Sequence, residues 1–406
     1  MIIPLEAFPN VIPGVSSLAN NATRPLDANL VRHVKELLLR DLARAAWTVD
    51  YGDLSTDLHA PSEYDKDVVR SAMASKREES IRMDRHWISN HVAVARANLA
   101  SGEEVLRSEI VPAIEQCQTQ DENDLFRTLR YYWSSPPSDY VGRRMRFIVR
   151  DAGLPSRPVI GIAALGSSII HIPERDDWVG WDQRTRSRNI GYAMDAYVVG
   201  ALPPYSYLLG GKLVSYLLAS NEVRELYRNK YAGAKTRIQH RELTDLACIF
   251  TTSLYGRSSQ YSRIRFEGRE LWSMVGLTHG YGTQHLTAET LQGMRDVVTQ
   301  AGSSVGNEFG DGPSWNMRLA KKAASLLGID GDELLQHSFR RGIYTLPLAN
   351  NAREFLRGEA KSLDYFDYPA ASLAGYWRDR WLSMRRQEGD VISEVRAWRP
   401  SLFVIE

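Results

Sequence analysis

The chain has 406 residues, 43% of them hydrophobic, and a formal net charge of +1. That is enough apolar material to bury a sizeable core, and too little net charge for a surface coated in basic residues. Any nucleic-acid surface must come from local clustering of Lys and Arg. Two cysteines far apart, Cys117 and Cys248, exclude a disulfide framework and a zinc-type cysteine spacing, which suits a reducing, cytoplasmic setting.

No stretch approaches the ~20 continuous apolar residues of a membrane helix, so no membrane partner is expected. The opening MIIPLEAFPNVIPGVSS lacks the charged start and continuous apolar run of a signal peptide. Residues 27–47 place Leu30, Val34, Leu37, Leu38 and Leu42 at helical spacing, with charges on the other faces. From 64 the chain runs without Pro or Gly until Ser101-Gly102, and 64–117 reads as helical. A further helix over 121–133 stops at SSPPSD.

The pattern changes at 143. RRMRFIVR (143–150) alternates, AGLPSRP turns the chain, and PVIGIAALGSSIIHI (158–172) returns as a strand. MDAYVVGAL (194–202) is the next strand, stopped by Pro203-Pro204. Helices are predicted over 208–219, opened by Gly210-Gly211-Lys212, and over 221–231, with Asn221 as N-cap. LACIFTTSL (246–254) reads as a buried strand, 256–264 as a short helix and LWSMVGL (271–277) as a strand. Helices over 287–299 and 315–338 flank a Gly- and Asp-rich stretch, and RGIYTLPL (341–348) is a last strand. Strand–helix alternation predicts an α/β protein. The expected layout is a helical N-terminal region over 1–140, a mixed-sheet core over 141–350 with a helical insertion at about 287–338, and a basic, aromatic region over 351–406.

Five stretches could carry chemistry. RDDWVGWD (175–182) sets Asp176 and Asp177 side by side, and neighbours on regular structure point apart rather than to one proton. Trp178 and Trp181 share a face in a helical turn, and Asp182 can cap the helix that follows, so this reads as a structural corner packed on the sheet. Gly210, Gly211 and Lys212 open a helix, where free N–H groups and the dipole attract an anion, but the P-loop spacing is missing. THGYGTQH (278–285) sets His279 and His285 on a glycine-rich turn, a poor match to a metal-ligand set, so no metal is expected. Finally, arginines alternate with aromatics in YGRSSQYSRIRFEGR (255–269) and YWRDRWLSMRR (376–386). Guanidinium groups bind phosphates and aromatic faces stack on bases. The candidate nucleic-acid contacts are Tyr255, Arg257, Arg263, Arg265, Trp377, Arg378 and Arg380.

Seven blocks occur in a telling order: GRRMRFIVRD, VIGIAALGSS, RDDWVGWD, YLLGGKLVSYLLASNEV, FTTSLYGRSSQYSR, VGLTHGYGTQHLT and GIYTLPLANNAREFLRGE. Over roughly 140–360 the chain resembles the DruA family of Druantia type I anti-phage defence systems. The resemblance implies a role in bacterial defence against phage beside other Druantia proteins, including a large helicase-like one. Related domains occur with transposases, which implies DNA as a partner. It supplies no catalytic mechanism and leaves open whether the protein is an enzyme.

The order strand, loop, glycine-opened helix, strand, helix, strand is also similar to GNAT-type N-acetyltransferases. That likeness implies a GNAT-like core with Tyr207, Gly210, Gly211 and Lys212 around the pyrophosphate of acetyl-CoA. Tyr207 stands where that family has Gln or Arg, and Lys212 where a small residue is expected. Tyr261 would be the general acid. The reading adopted is a nucleic-acid-binding component without a cofactor. Its alternatives are an acetyl-CoA-dependent acyltransferase and a non-catalytic scaffold.

Overall fold

Capping and periodicity account for where most elements start and stop. The computed structural model describes residues 25–51, 56–61, 66–137, 142–169, 171–236, 240–306 and 313–406. The opening segment read for a signal peptide, and part of the Gly- and Asp-rich stretch 302–314, lie outside these. Helix α1 (Ala28–Arg44) is capped by Asp27, whose carboxylate accepts from the Asn29 N–H, and it buries Val34, Leu37, Leu38 and Leu42 as the spacing predicts. A hairpin of β1 (Thr48–Tyr51) and β2 (Thr56–His59) follows, then α2 (Lys66–Met83), α3 (Arg85–Ala97) and α4 (Gly102–Arg107).

Strand β3 (Pro112–Gln116) corrects the helical reading of 64–117. Pro112 cannot join a helical ladder, and Ile114 pairs opposite Val149 instead. Helix α5 (Gln120–Arg130) starts with a reciprocal capping box between Thr119 and Glu122.

Next come β4 (Arg144–Asp151), β5 (Val159–Ser167), α6 (Pro173–Val179), α7 (Gln183–Asn189), β6 (Ala193–Ala201), α8 (Gly210–Leu217) and α9 (Asn221–Tyr231). Ser220, not Asn221, caps α9: its Oγ accepts from the Val223 N–H at 3.3 Å. The Asn221 amide is drawn to Asp367 instead, at 2.6 Å. Strand β7 (Cys248–Ser253) leads through the short pair β8 (Arg265–Phe266) and β9 (Arg269–Glu270) to β10 (Ser273–Leu277). The predicted helix over 315–338 divides into α11 (Pro313–Leu326), after α10 (Ala288–Gln300), and α12 (Gly331–Leu335). Gly328 turns the chain at φ +73°, and Asp330 caps the second piece. The chain ends with β11 (Gly342–Pro347), α13 (Ala352–Arg357), α14 (Ala370–Trp377), a π-helical turn (Arg378–Leu382), α15 (Ser383–Arg385) and α16 (Gly389–Ala397).

Two compact units form, one from residues up to Glu79 with His279–Phe339, the other from Ser80–Thr278 with Arg340–Glu406. In the first, α10 lies so close to α1 that a Cβ on Gly293 would stand 2.8 Å from Val34 Cγ2. Buried Asp41 accepts from the Thr287 N–H at 2.7 Å and the Thr290 hydroxyl at 2.6 Å, at the start of α10.

The second unit is α/β, built on a seven-stranded sheet in the order β10-β11-β7-β6-β5-β4-β3. Only β6 and β7 run parallel among these neighbours; the other pairs are antiparallel. The parallel pairing covers Ala193–Asp195 against Cys248–Phe250 and stops there. Alternation along the strands sends Phe147, Val149, Ala163 and Leu165 into a core shared with α8 and α14. Ile148, Ile162, Ala164 and Val198 enter a second core that includes Leu125 and Phe126 of α5. Central β5 is therefore buried along nearly its whole length, which is why it reads as an unbroken apolar run.

Candidate nucleic-acid interface

The RDDWVGWD stretch is a corner between two helices. Gly180 ends α6 at φ +86°, and the Asp182 carboxylate accepts from the Thr185 N–H at 2.6 Å to start α7. Trp181 is buried, its indole N–H donating to the Leu356 carbonyl at 2.7 Å. Trp178 meets Phe250 edge-on at 6.3 Å. Asp176 is buried and accepts from Arg175 Nε at 2.9 Å and Nη2 at 2.6 Å, and from Arg186 at 2.8 Å. Two guanidiniums and the His171 ring nitrogen, at 3.0 Å, fix this carboxylate in the corner.

Tyr207, Gly210, Gly211 and Lys212 share one turn, and the chain itself fills that turn. A Cβ on Gly210 would stand 2.7 Å from the Tyr205 carbonyl oxygen, and one on Gly211 would stand 2.9 Å from Gln260 Oε1. The buried Lys212 ammonium donates to the Ser262 carbonyl at 2.9 Å and to the Ser259 carbonyl. It sits 4.4 Å from the centre of the Trp381 ring. Burial, then the neighbouring Arg263 charge, lower its pKa to about 8. The Tyr207 carbonyl accepts from Arg385 Nε at 3.0 Å.

Residues 256–264 form turns rather than the predicted short helix, with Gly256 at φ +66° and Arg263 at φ +62°. Tertiary bonds override local propensity there. The Ser258 N–H donates to the Tyr344 hydroxyl at 2.8 Å, and the Gln260 amide donates to the Val199 carbonyl at 3.0 Å. Tyr261 lies in the core, 5.0 Å from both Trp272 and Tyr344, and burial pushes its hydroxyl up to about 12.

The two arginine runs meet on α8. Trp381 donates its indole N–H to the Tyr216 hydroxyl at 3.2 Å, and that hydroxyl donates to the Arg265 carbonyl at 3.0 Å. Arg380 lies 5.3 Å from the Trp381 ring centre. Arg257, Arg263, Arg265 and Arg380 are exposed, and among the described residues none of them has an ion-pair partner. Arg378 differs: it pairs with Glu109 at 2.7 Å and donates to the Ile110 carbonyl at 2.9 Å. Trp377 is buried, with its indole N–H on the Leu209 carbonyl at 3.1 Å, and Tyr255 is half-buried.

Trp381, Tyr216 and the joining part played by Lys212 were not found from sequence. Trp377 and Trp381 look equivalent in YWRDRWLSMRR. The five-residue π-helical turn that carries Trp381 has no sequence signature.

In the other unit, His285 stacks on Trp47 at 5.3 Å and faces His337 at 5.5 Å, while His279 is exposed. Among the described residues no group of three or more His, Cys, Asp or Glu could hold a metal. No described helix is long and apolar enough to cross a membrane.

Residues 63–358 match the family model described as Druantia protein DruA. The chain is also 35% identical over 304 residues to the Druantia protein DruA of Escherichia coli (strain UMEA 4076-1), covering 74% of each chain. No solved structure matches it.

Proposed function

The chain belongs to the DruA family of Druantia proteins, and on that footing we propose that it is a component of a Druantia anti-phage defence system that binds nucleic acid. The observation that carries the binding reading is that Tyr216, Trp381 and Lys212 join the segments bearing Arg263, Arg265 and Arg380. Exposed guanidiniums without carboxylate partners are free to replace the counterions of a phosphate backbone. Hydrogen bonds from Lys212 and Tyr216 hold the backbone beside Arg263 and Arg265, so little ordering is needed on binding. With Arg257 the group offers four cations, for a salt slope of about −3.6. Such contacts fix position on the strand without reading sequence, which suits a subunit that presents varied phage DNA to partners. Other Druantia subunits, including a helicase-like one, are the partners this reading implies. The acetyl-CoA alternative gains no observation, because the glycine turn is packed against Ser259, Gln260 and Ser262 of the same chain.

Fluorescence anisotropy against single-stranded, duplex and forked DNA at low and near-physiological salt tests the reading. An Arg263→Glu, Arg265→Glu, Arg380→Glu variant should bind every form more weakly, with a slope flattened by about 2.7 or more. Binding equal to the parent at every salt concentration would sink the assignment of this surface.

A further inference from the structure

A second cluster of cations stands at the opposite end of the sheet. Arg144 and Arg146 are two apart on β4 and so share one face of the sheet. The Tyr231 hydroxyl donates to the Arg144 carbonyl at 3.2 Å, bringing the end of α9 and its Lys230 against the start of β4. Lys230 lies within electrostatic reach of both arginines. Arg144 and Lys230 are exposed, and among the described residues neither side chain has an ion-pair or hydrogen-bond partner. Nearby acids are already engaged. Glu115 pairs with Arg150 at 3.3 Å and with Arg157, and Glu122 accepts from the Gln118 and Thr119 N–H groups at 2.7 and 2.9 Å. Arg146 itself donates to the neutral Asn123 at 3.1 Å and lies 5.5 Å from the Phe126 ring centre.

Converging like charges repel one another unless an anion sits between them. Partial burial, and after it the Arg146 and Arg144 charges, hold the Lys230 ammonium below its ordinary pKa against an opposing effect of Cys117. We propose that Arg144, Arg146 and Lys230 form a second phosphate-binding site, which contacts the backbone of the same nucleic acid at a separate point. This rests on the nucleic-acid reading above.

The register sets the spacing. Arg144 pairs with Gly166, and Gly166 with Asp195 near the start of β6, whereas α8 follows the far end of β6 at Ala201. Six strand steps of about 3.3 Å set a separation along the strands of roughly 20 Å. That exceeds the screening length of about 8 Å at physiological salt, so the sites act separately and need a polyanion to span them. A duplex must exceed about six base pairs to touch both, at about 3.4 Å per pair.

The test is anisotropy with a labelled DNA hairpin whose duplex stem is about five base pairs and a labelled duplex of about twenty, using the parent, Arg144→Gln/Lys230→Gln and Arg263→Glu/Arg380→Glu. The inference expects the first variant to flatten the long-duplex salt slope by about 1.8 and to leave the short duplex less affected. Arg144→Lys/Lys230→Arg should restore the slope, which separates lost charge from lost folding. If Arg144→Gln/Lys230→Gln matches the parent at every salt while Arg263→Glu/Arg380→Glu is weakened, the second site is wrong and the first interface stands. If only Arg144→Gln/Lys230→Gln is weakened, the second site stands and the first assignment falls. A parent that binds neither duplex overturns both.

Discussion

Replacing Lys212 with Met and Trp381 with Leu, singly and together, tests whether one contact joins the two arginine runs. Lys212 donates to the Ser259 and Ser262 carbonyls and lies 4.4 Å from the Trp381 ring centre. Met keeps the packed stem but leaves both carbonyls without that donor, a loss of about 1.5–3 kcal/mol for a charge-assisted bond. Leu at 381 removes the indole bond to Tyr216, which contributes about 0.5–1.5 kcal/mol, and the ring face under the ammonium. Because Lys212 is only 8% exposed, solvent screens the cation–ring attraction little. The double variant should therefore lose about 1–2 kcal/mol less than the sum of the singles. Urea unfolding at matched m-value measures the cycle. Losses that add to within about 0.3 kcal/mol would refute the coupling. Under the proposed nucleic-acid reading both single variants should also weaken DNA binding, since Arg263 and Arg265 lose the tether that holds their loop on α8.

Three further outcomes follow from the packing and the titrating groups. Gly210→Ala should cost about 1–3 kcal/mol, because the new methyl meets the Tyr205 carbonyl at 2.7 Å and Ala201 Cβ at 2.9 Å. Gly375→Ala in α14 meets nothing within 4 Å and should instead stabilise by about 0.5–1 kcal/mol; equal thermal midpoints for the two would contradict this reasoning. Burial, His337 and Lys76 hold His285 well below its ordinary pKa, so the unfolded chain binds the extra proton. The stability due to its neutral ring is complete above about pH 6.5 and is lost as pH falls. His285→Phe should flatten urea-measured stability between about pH 7.5 and 5.5, and an unchanged slope counts against the assignment. Asp195 has the opposite sign, because burial pushes its carboxyl up to about 6 and the folded state keeps the proton longer. Its contribution is complete below about pH 3.8 and is lost as pH rises through about 6. Asp195→Asn should thus gain about 1–3 kcal/mol at pH ~7.5 and nothing near pH ~4, with the Ile169 N–H, at 2.8 Å, still finding an oxygen. A gain independent of pH would point to packing instead.

By itself the sequence determined the α/β class, the strands at the centre of the sheet, the amphipathic α1 and the Asp182 cap. These depend on burial patterns and hydrogen bonds that span a few residues. β5 is apolar throughout because both its faces are covered, and α1 shows its spacing because one face is. The same local signals marked both arginine runs but could not sort their members. Trp377 lies in the core and Trp381 four residues later reaches the Tyr216 hydroxyl, because a π-helical turn lies between buried α14 and its continuation. Tyr261 and the predicted helix around it were decided by Tyr344 and Val199, on strands whose positions no local pattern contains. The tertiary structure alone joined 257–265 to 378–382 through Tyr216, and set Lys230 beside Arg144. Such meetings depend on which buried faces pack together across the whole chain, while propensity and charge pattern act only along it.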